Sequence, residues 1–358
     1  MAPIERRIDL GLCAVRLALA LVMALTATTS GFARDLVDSA GRKVALPDHI
    51  TRVMAAGPPA SALMTILAPE MLVGWNRAPA VEDLPYLPAV TRALPVVGRL
   101  TGRGNTANLE TVLAAKPDLI LDFGAMSDTY VSLADRMQTQ TGIPYVLIDG
   151  RFAESVPALT LLGATLGVAD RAQKLAAKVQ AVFDHVDALL HGAADKARPR
   201  VYLARRDNGL ETSYRGSLNT EIIERAGGVN VVDTGALQGG LVNVSLEQVL
   251  AWNPDTIITT DAAFAAQAPN AAGWREVDAV KKQRVFLSPR LPYGWIDEPP
   301  SLNRVLGLIW LEHIFFPDRA AGDLRAETRD FYNLFYQVAL SDAQLDQLLA
   351  GSSTVPPH

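Results

Sequence analysis

Two stretches of the chain, Asn108–Leu121 and Ser245–Ile258, repeat one pattern of polar and apolar positions. Each stretch begins with a polar residue suited to cap a helix, continues as a short amphipathic helix, and reaches a Pro-Asp pair at which the helix must stop. An apolar run of the kind that forms a buried parallel strand follows, Leu119–Leu121 in the first copy and Thr256–Ile258 in the second. A helix–strand unit that recurs in each half of the chain predicts two similar α/β lobes.

Short apolar runs alternate with helical patterns on both sides of each copy. The runs are Arg52–Ala56, Leu72–Trp75, Pro95–Gly98 and Tyr145–Ile148 in the first half, and Arg200–Ala204, Asn230–Val232 and Arg284–Leu287 in the second. Strands that alternate with helices form parallel sheets, and such sheets bind ligands beyond the carboxyl ends of their strands. We therefore predict an α/β protein of two Rossmann-like lobes, with a central parallel sheet in each and binding loops along the strand ends.

The pattern between the lobes is helical almost throughout residues 154–192. Asp170–His191 contains neither Gly nor Pro, and its apolar side chains recur at three- and four-residue spacing on one face. Such a helix extends about 33 Å, so we expect a stiff connection about which the lobes rock by small angles. The predicted divisions are a signal peptide at 1–33, an N-terminal lobe at 34–153, the helical segment at 154–192, a C-terminal lobe at 193–340 and a C-terminal tail at 341–358.

The first 33 residues resemble an export signal. Basic residues flank the apolar run Leu17–Leu25, which is too short to span a bilayer, and small residues at Gly31 and Ala33 predict cleavage near Ala33. The pair Arg6-Arg7 hints at the twin-arginine route, although the neighbouring residues favour the general secretory route. Cys13, the one cysteine, precedes the apolar run, so we predict a soluble periplasmic protein rather than a lipoprotein.

Composition excludes several classes of function. The formal net charge is −5 without basic tracts, which argues against nucleic-acid binding. The five histidines are scattered and no zinc-binding motif occurs, so a metal site built of side chains is not expected. No nucleophile elbow is present, and the glycines at Gly102 and Gly104 match a dinucleotide fingerprint only loosely. We expect no enzymatic activity, no catalytic residues and no cofactor.

The predicted binding loops are instead rich in aromatic and cationic side chains. These candidates for ligand binding are Trp75, Arg77, Arg103, Arg205, Tyr214, Arg215, Tyr293 and Trp295, with Arg99 and Arg206 beside them. Tryptophan and tyrosine stack on flat ligands with little loss of entropy, and arginine pairs with carboxylates and oxyanions. Tyr293 and Trp295 lie in a Pro/Gly-rich loop without helical or strand spacing, which argues against a role in the core.

Several of these stretches together resemble the periplasmic substrate-binding proteins of the siderophore- and cobalamin-binding type, which serve ABC importers. The resemblance covers about Asp35–Leu340 and rests on both copies of the repeat, the long helix, Glu221–Asn230 and Ala279–Pro289. It implies two lobes joined by one long helix, with the ligand in the cleft between them. It also implies that a glutamate on each lobe docks onto arginines of the permease, and Glu110 and Glu247 match these positions. Trp295 matches the position at which relatives place an aromatic against the ligand.

The resemblance does not specify the ligand. A ferric siderophore or similar metal chelate is the first choice, and molybdate or tungstate, cobalamin, haem, or a nickel or cobalt chelate are alternatives. The arginines favour an anionic ligand. An exported hydrolase on a two-lobe scaffold is the alternative of a different class, but the sequence contains no paired nucleophile and base. We expect a monomer whose partners are its ligand and an inner-membrane ABC permease dimer.

Overall fold

The computed structural model describes residues 32–102, 104–191, 198–233, 240–320 and 322–352. The strands of the first lobe are β1 (Phe32–Val37), β2 (Lys43–Pro47), β3 (Val53–Ala55), β4 (Leu119–Gly124) and β5 (Tyr145–Asp149). Those of the second lobe are β6 (Arg200–Ala204), β7 (Glu211–Ser213), β8 (Val229–Asn230), β9 (Leu241–Asn243), β10 (Thr256–Thr259) and β11 (Val285–Leu287).

Helices surround both groups of strands. In the first half they are α1 (Pro58–Leu67), α2 (Leu109–Ala115), α3 (Asp128–Thr141), α4 (Ser155–Leu166) and α5 (Ala169–Leu190). In the second half they are α6 (Glu221–Arg225), α7 (Leu246–Trp252), α8 (Ala262–Gln267), α9 (Asp278–Lys281), α10 (Arg304–Phe315), α11 (Leu324–Phe331) and α12 (Asp342–Leu349), with a π-helical turn at Tyr332–Tyr336. No helix within these described ranges has both the length and the apolar character that crossing a bilayer requires.

Each lobe has its own parallel sheet. The order is β3-β4-β5 in the first lobe and β11-β10-β6-β8 in the second, and every neighbouring pair runs parallel. The predicted α/β class with two parallel sheets is thereby confirmed. The predicted strands at Leu72–Trp75 and Pro95–Gly98 are reduced to single bridges, Leu72 to Val53 and Trp75 to Val96. Pro95 has no N–H to donate, so it cannot extend a ladder.

Helix α5 joins the lobes, as the pattern of apolar residues predicts. It runs for 22 residues, and Gly167 separates it from α4 by adopting a left-handed conformation with φ 72°. Its buried face includes Leu175, Val179 and Val186. One apolar cluster extends from strands of the first lobe through this helix into β6 of the second lobe. The lobes therefore share a core, which favours small relative movements over wide opening.

The segment predicted as a tail begins with an ordered helix. Helix α12 is closed at its start by a capping box between Ser341 and Gln344, and it buries Leu345 and Leu348. The hydroxyl of Tyr86, in the first lobe, donates to the carbonyl oxygen of Gln344 at 2.9 Å. The C-terminal helix, which follows the second lobe in the chain, thus contacts the first lobe.

Candidate functional site

A cleft lies between the lobes, where the loops that follow the strands of both sheets face each other. Described residues of the cleft line one cavity of about 570 Å³ and another of about 450 Å³. Pro59 lines the first and its neighbour Pro58 lines the second, so the cavities adjoin. The site is therefore at the strand ends, where parallel sheets present their ligands.

The larger cavity, called here the glycine-lined cavity, has walls from both lobes. On the first lobe Gly124 ends β4 and Gly150 follows β5, and Ser217–Asn219 and Gly240 face them from the second lobe. A Cβ placed on Gly150 would lie 2.7 Å from the Cα of Gly124, so a larger residue would displace the wall. The wall of the first lobe consequently depends on this close approach of two backbones.

Asp122 lies within β4, two residues before its last residue, and lines the same cavity. It is 6% exposed, and it accepts hydrogen bonds from the Thr101 hydroxyl and the Tyr145 hydroxyl, each at 3.2 Å. Burial raises the pKa of Asp122, and these donors oppose the shift. Asp122 was not among the residues predicted from the sequence, although a carboxylate near the carboxyl end of an apolar parallel strand is a usable signal.

The smaller cavity, called here the arginine-lined cavity, carries most of the cationic candidates. Its charged lining consists of Arg77, Arg99, Arg205, Arg206 and Arg290, with Asp83 and Glu298 as the acids. Trp75 and Tyr293 contribute its aromatic walls. Arginines outnumber acids here, so the cavity suits a ligand with negative charge.

Arg77 and Arg99 differ from the other arginines of this cavity because neither forms an ion pair with any residue that the structure describes. Arg77 is exposed, and Arg99 uses its Nε to donate to the carbonyl oxygen of Gly104 at 2.9 Å. Asp83 lines the same cavity, and burial raises its pKa while the charges of Arg290 and Arg77 oppose that shift. The two guanidinium groups thus remain available for an anion.

Arg205 reaches the arginine-lined cavity but is already neutralised. It is 4% exposed, and its Nε and Nη2 lie 3.1 Å from carboxylate oxygens of Glu211 and Glu298, respectively. Its Nη1 also pairs with Asp297, a buried carboxyl whose pKa is raised by desolvation. Its donors are committed within the second lobe, so Arg205 shapes the cavity wall rather than offering a free charge.

The aromatic candidates occupy three different environments. Trp75 is 3% exposed and donates from Nε1 to the carbonyl oxygen of Thr91 at 3.0 Å, so it supports the cavity with its ring held in place. The Tyr293 hydroxyl lies 3.3 Å from the Thr65 hydroxyl, and desolvation raises the pKa of Tyr293 to about 12. Trp295 is fully buried in the core.

The burial of Trp295 corrects the argument that a Pro/Gly-rich loop without regular spacing excludes a core position. The loop folds back on itself, because the Trp295 N–H donates to the carbonyl oxygen of Pro289 at 3.0 Å. This turn points the indole inward, where Gly307 of α10 leaves room for the backbone to pass. Trp295 has no surface in the cleft in this structure.

Tyr214 and Arg215 lie outside the lining of both cavities. Tyr214 is half-buried and packs against the apolar core of the second lobe. Arg215 pairs with Asp233 at 2.9 Å and donates from Nη2 to the carbonyl oxygen of Asn230, also at 2.9 Å. Arg103, the remaining candidate, lies outside the described residues.

The repeated glutamates are both exposed, each in the first turn of its helix. Glu110 lies on α2 and Glu247 on α7. On α2, Leu109 and Leu113 are also exposed, at 38% and 47%. Within the described ranges no group of three or more His, Cys, Asp or Glu side chains could hold a metal ion.

Comparison with known proteins gives consistent matches over most of the chain. A family model described as "Periplasmic binding protein" matches residues 73–290. The molybdate-binding protein MolA of Haemophilus influenzae is 30% identical over 339 residues, covering 86% of this chain and 92% of that protein. A solved ABC transporter solute binding protein from Sulfurospirillum deleyianum is 29% identical, covers 88% of this chain and 99% of its own, and superposes with a TM-score of 0.80. Molybdate-bound MolA superposes with a TM-score of 0.71 at 25% identity, covering 86% of this chain and 99% of its own.

Proposed function

This chain belongs to the periplasmic binding protein family, whose members serve ABC importers, and we propose that its ligand is an oxyanion of the molybdate or tungstate class. The observation that carries this proposal is the presence in the arginine-lined cavity of Arg77 and Arg99, neither of which forms an ion pair with a residue that the structure describes. Guanidinium groups remain charged at any physiological pH and match the geometry of oxyanions. The similarity to MolA, which is named for binding molybdate, supports the same choice.

An anionic metal chelate such as a ferric siderophore is the second candidate. The observation in its favour is volume, because the glycine-lined cavity adds about 570 Å³ beside the arginines. Pockets of roughly 300–1,000 Å³ accommodate drug-sized organic ligands, whereas a bare oxyanion needs far less. The same arginines would hold the charged part of a chelate, so the two candidates share their anionic chemistry.

Delivery of the ligand requires contact with a permease, and we assign this contact to Glu110 and Glu247. Both are exposed on short helices that occupy equivalent places in the repeat. Exposed carboxylates of this kind pair readily with arginines of a partner. The protein would act as a periplasmic monomer, exported by a signal peptide that is cleaved near Ala33, and would carry its ligand without chemical change.

The ligand assignment is tested by titrating the purified protein calorimetrically with sodium molybdate, sodium tungstate, sodium sulfate and a ferric hydroxamate. We expect molybdate or tungstate to bind most tightly. Arg77→Ala and Arg99→Ala should each weaken binding about 10- to 100-fold, since hydrogen bonds to charged groups contribute about 1.5–3 kcal/mol.

Arg136→Ala is the matched control, because Arg136 is exposed on α3 and lines neither cavity. Its affinity should equal that of the wild type. Tight binding of the ferric hydroxamate, with no heat from either oxyanion, would favour the second candidate. Full affinity in both cavity variants would remove the arginines from the site.

A further inference from the structure

Arg304 lies fully buried behind the glycine-lined cavity and contacts both lobes. Its Nη2 donates to the carbonyl oxygen of Gly150, on the first lobe, at 2.8 Å. Its Nη1 donates to the carbonyl oxygen of Leu218, on the second lobe, at 3.1 Å. Gly150 and Leu218 line that cavity from opposite sides. One planar guanidinium therefore spans the two walls of the cleft at its base.

Glu221 adds a second crossing beside the first. The same Nη1 of Arg304 pairs with Oε1 of Glu221, and this oxygen also accepts a hydrogen bond from the backbone N–H of Phe152 at 2.8 Å. The guanidinium carbon lies 4.9 Å from the centre of the Phe152 ring. Glu221 belongs to the second lobe and Phe152 to the first. Arg304, Glu221, Gly150, Phe152 and Leu218 are called here the interlobe clamp.

The hydrogen bonds by which the clamp crosses between the lobes are buried or partly buried, unlike an exposed ion pair that also crosses the cleft. Arg290 and Glu82 lie 3.1 Å apart, but their side chains are 58% and 44% exposed, so water and salt weaken the pair. Arg304 is fully buried, and separation of the walls would remove its contacts with the Gly150 carbonyl oxygen and the Phe152 ring. The Arg304–Glu221 pair would stay within the second lobe, but Glu221 would lose the Phe152 N–H, so two charged groups would each lose a hydrogen bond. The contacts of the clamp thus hold the base of the cleft, whereas the exposed Arg290–Glu82 pair contributes little.

We propose that Arg304 is a positioning residue that fixes the separation of the two cleft walls before the ligand arrives. This rests on the proposed function, because it takes the interlobe cleft as the ligand site. An empty protein whose walls already stand at the binding distance needs no reorganisation on binding. If only a fraction of molecules has the competent separation, the apparent Kd rises by the inverse of that fraction.

The test measures cleft width and affinity separately. Spin labels are attached at Gln140→Cys and Ala266→Cys, one exposed site on each lobe, in a Cys13→Ser background that removes the native cysteine. Pulsed electron paramagnetic resonance then measures the distance between the lobes. The double variant Arg304→Met with Glu221→Met removes both charges together, so it avoids leaving one of them buried alone. We expect a broader distance distribution in the ligand-free double variant. If about one molecule in ten keeps the competent width, the Kd for molybdate rises about tenfold.

Arg284→Met is the matched control. Arg284 donates from its guanidinium to the Thr256 hydroxyl and the carbonyl oxygen of Ile314, and it lies 5.5 Å from the centre of the Phe286 ring. All of these partners belong to the second lobe. Losing this arginine therefore removes similar contacts without releasing the two walls, and the distance distribution should stay narrow.

Arg304→Lys separates charge from geometry. Lysine keeps the ion pair with Glu221 but cannot reach both carbonyl oxygens with one planar fork. We expect cooperative unfolding as in the wild type, together with a broadened interlobe distance and faster release of molybdate. A narrow, wild-type distribution in both the lysine variant and the double variant would overturn the proposal. If the wild type binds no molybdate, the oxyanion assignment fails, while the ligand-free distances still decide the role of Arg304.

Discussion

The first-lobe unit α2–β4 and the second-lobe unit α7–β10 have the same local structure. Each helix has seven residues, and each ends at a residue in the left-handed conformation, Lys116 with φ 46° and Asn253 with φ 41°. In each unit an aspartate then ties the new strand to its neighbour. Asp118 accepts from the backbone N–H groups of Thr51 and Arg52 at 2.8 and 2.9 Å, and Asp255 accepts from Arg200 at 3.1 Å.

The two lobes differ in the loops that follow other strands of their sheets. The first lobe presents Arg77 and Arg99 without ion pairs among the described residues, whereas the second places Arg205 within a group of carboxylates. A duplicated unit can therefore keep its caps and strand connections while the loops beyond it diverge. The repeat therefore specifies the scaffold, and we expect the strand-end loops to specify the ligand.

The largest effect is expected for variants that test whether the two lobes contribute equally to docking on the permease. Glu110→Ala together with Glu247→Ala should reduce ligand uptake by cells about tenfold or more, since charge-assisted contacts contribute about 1.5–3 kcal/mol each. Glu110→Ala alone should have the greater effect of the two single variants. Leu109 and Leu113 beside it are exposed, whereas Leu246 and Leu250 on α7 are half-buried.

The measurement is uptake of radiolabelled or isotope-enriched ligand in cells that produce each variant. Glu276→Ala, an exposed acid elsewhere on the second lobe, is the control and should transport normally. Affinity of the purified double variant should be unchanged, because both glutamates lie outside the cavity linings. Normal uptake by the double variant would rule out these glutamates as the docking contacts.

A smaller effect is expected for variants that test whether Asp118 and Asp255 contribute equally to stability. Asp118→Ala leaves two backbone N–H groups without their acceptor and should lower the free energy of unfolding by about 2 kcal/mol. Asp255→Ala leaves one backbone N–H group without its acceptor and should lower the free energy of unfolding by about 1 kcal/mol. Urea unfolding followed by circular dichroism measures both. Asp→Asn at each site keeps an acceptor and serves as the control. Equal losses in the two alanine variants would contradict the ranking.

The smallest effect concerns a titration confined to the second lobe. Burial raises the pKa of Glu224 from its usual value of 4.5 to about 7, although a hydrogen bond from the Gly216 N–H acts to lower it. Between these two values the folded protein holds a proton that the unfolded chain releases, so stability falls as the pH rises from about 4.5 to about 7. Glu224→Gln should remove this dependence and increase stability above pH 7 by about 1 kcal/mol, allowing for partial exposure.

Denaturation midpoints at pH 5, 6, 7 and 8 would reveal this difference between wild type and Glu224→Gln. The two curves should converge below pH 4.5, where the glutamate is protonated in both states. Glu276→Gln, at an exposed position of the same lobe, should follow the wild-type curve. Parallel curves for wild type and Glu224→Gln over the whole range would show that Glu224 does not titrate in this window.

Local rules were sufficient to predict much of the scaffold. The caps at Asn108 and Ser245, the lobe-joining helix α5 and the α/β class all depend on residues close together in the chain, and each is present in the structure. Residues near strand ends could likewise be chosen from sequence, and Trp75, Arg77, Arg205 and Tyr293 do line the arginine-lined cavity. Periodicity and cap chemistry act over a few residues, so a single sequence displays them.

Only the tertiary structure decided which of these candidates remain available to a ligand. Trp295 is in the core because its loop turns inward, and Arg205 is neutralised by Asp297, which is distant in the chain. Arg304 was not a candidate from the sequence, and its contact with Gly150 on the other lobe is seen only in the structure. Burial and ion pairing depend on which distant segments meet, and no pattern of neighbouring residues records those encounters.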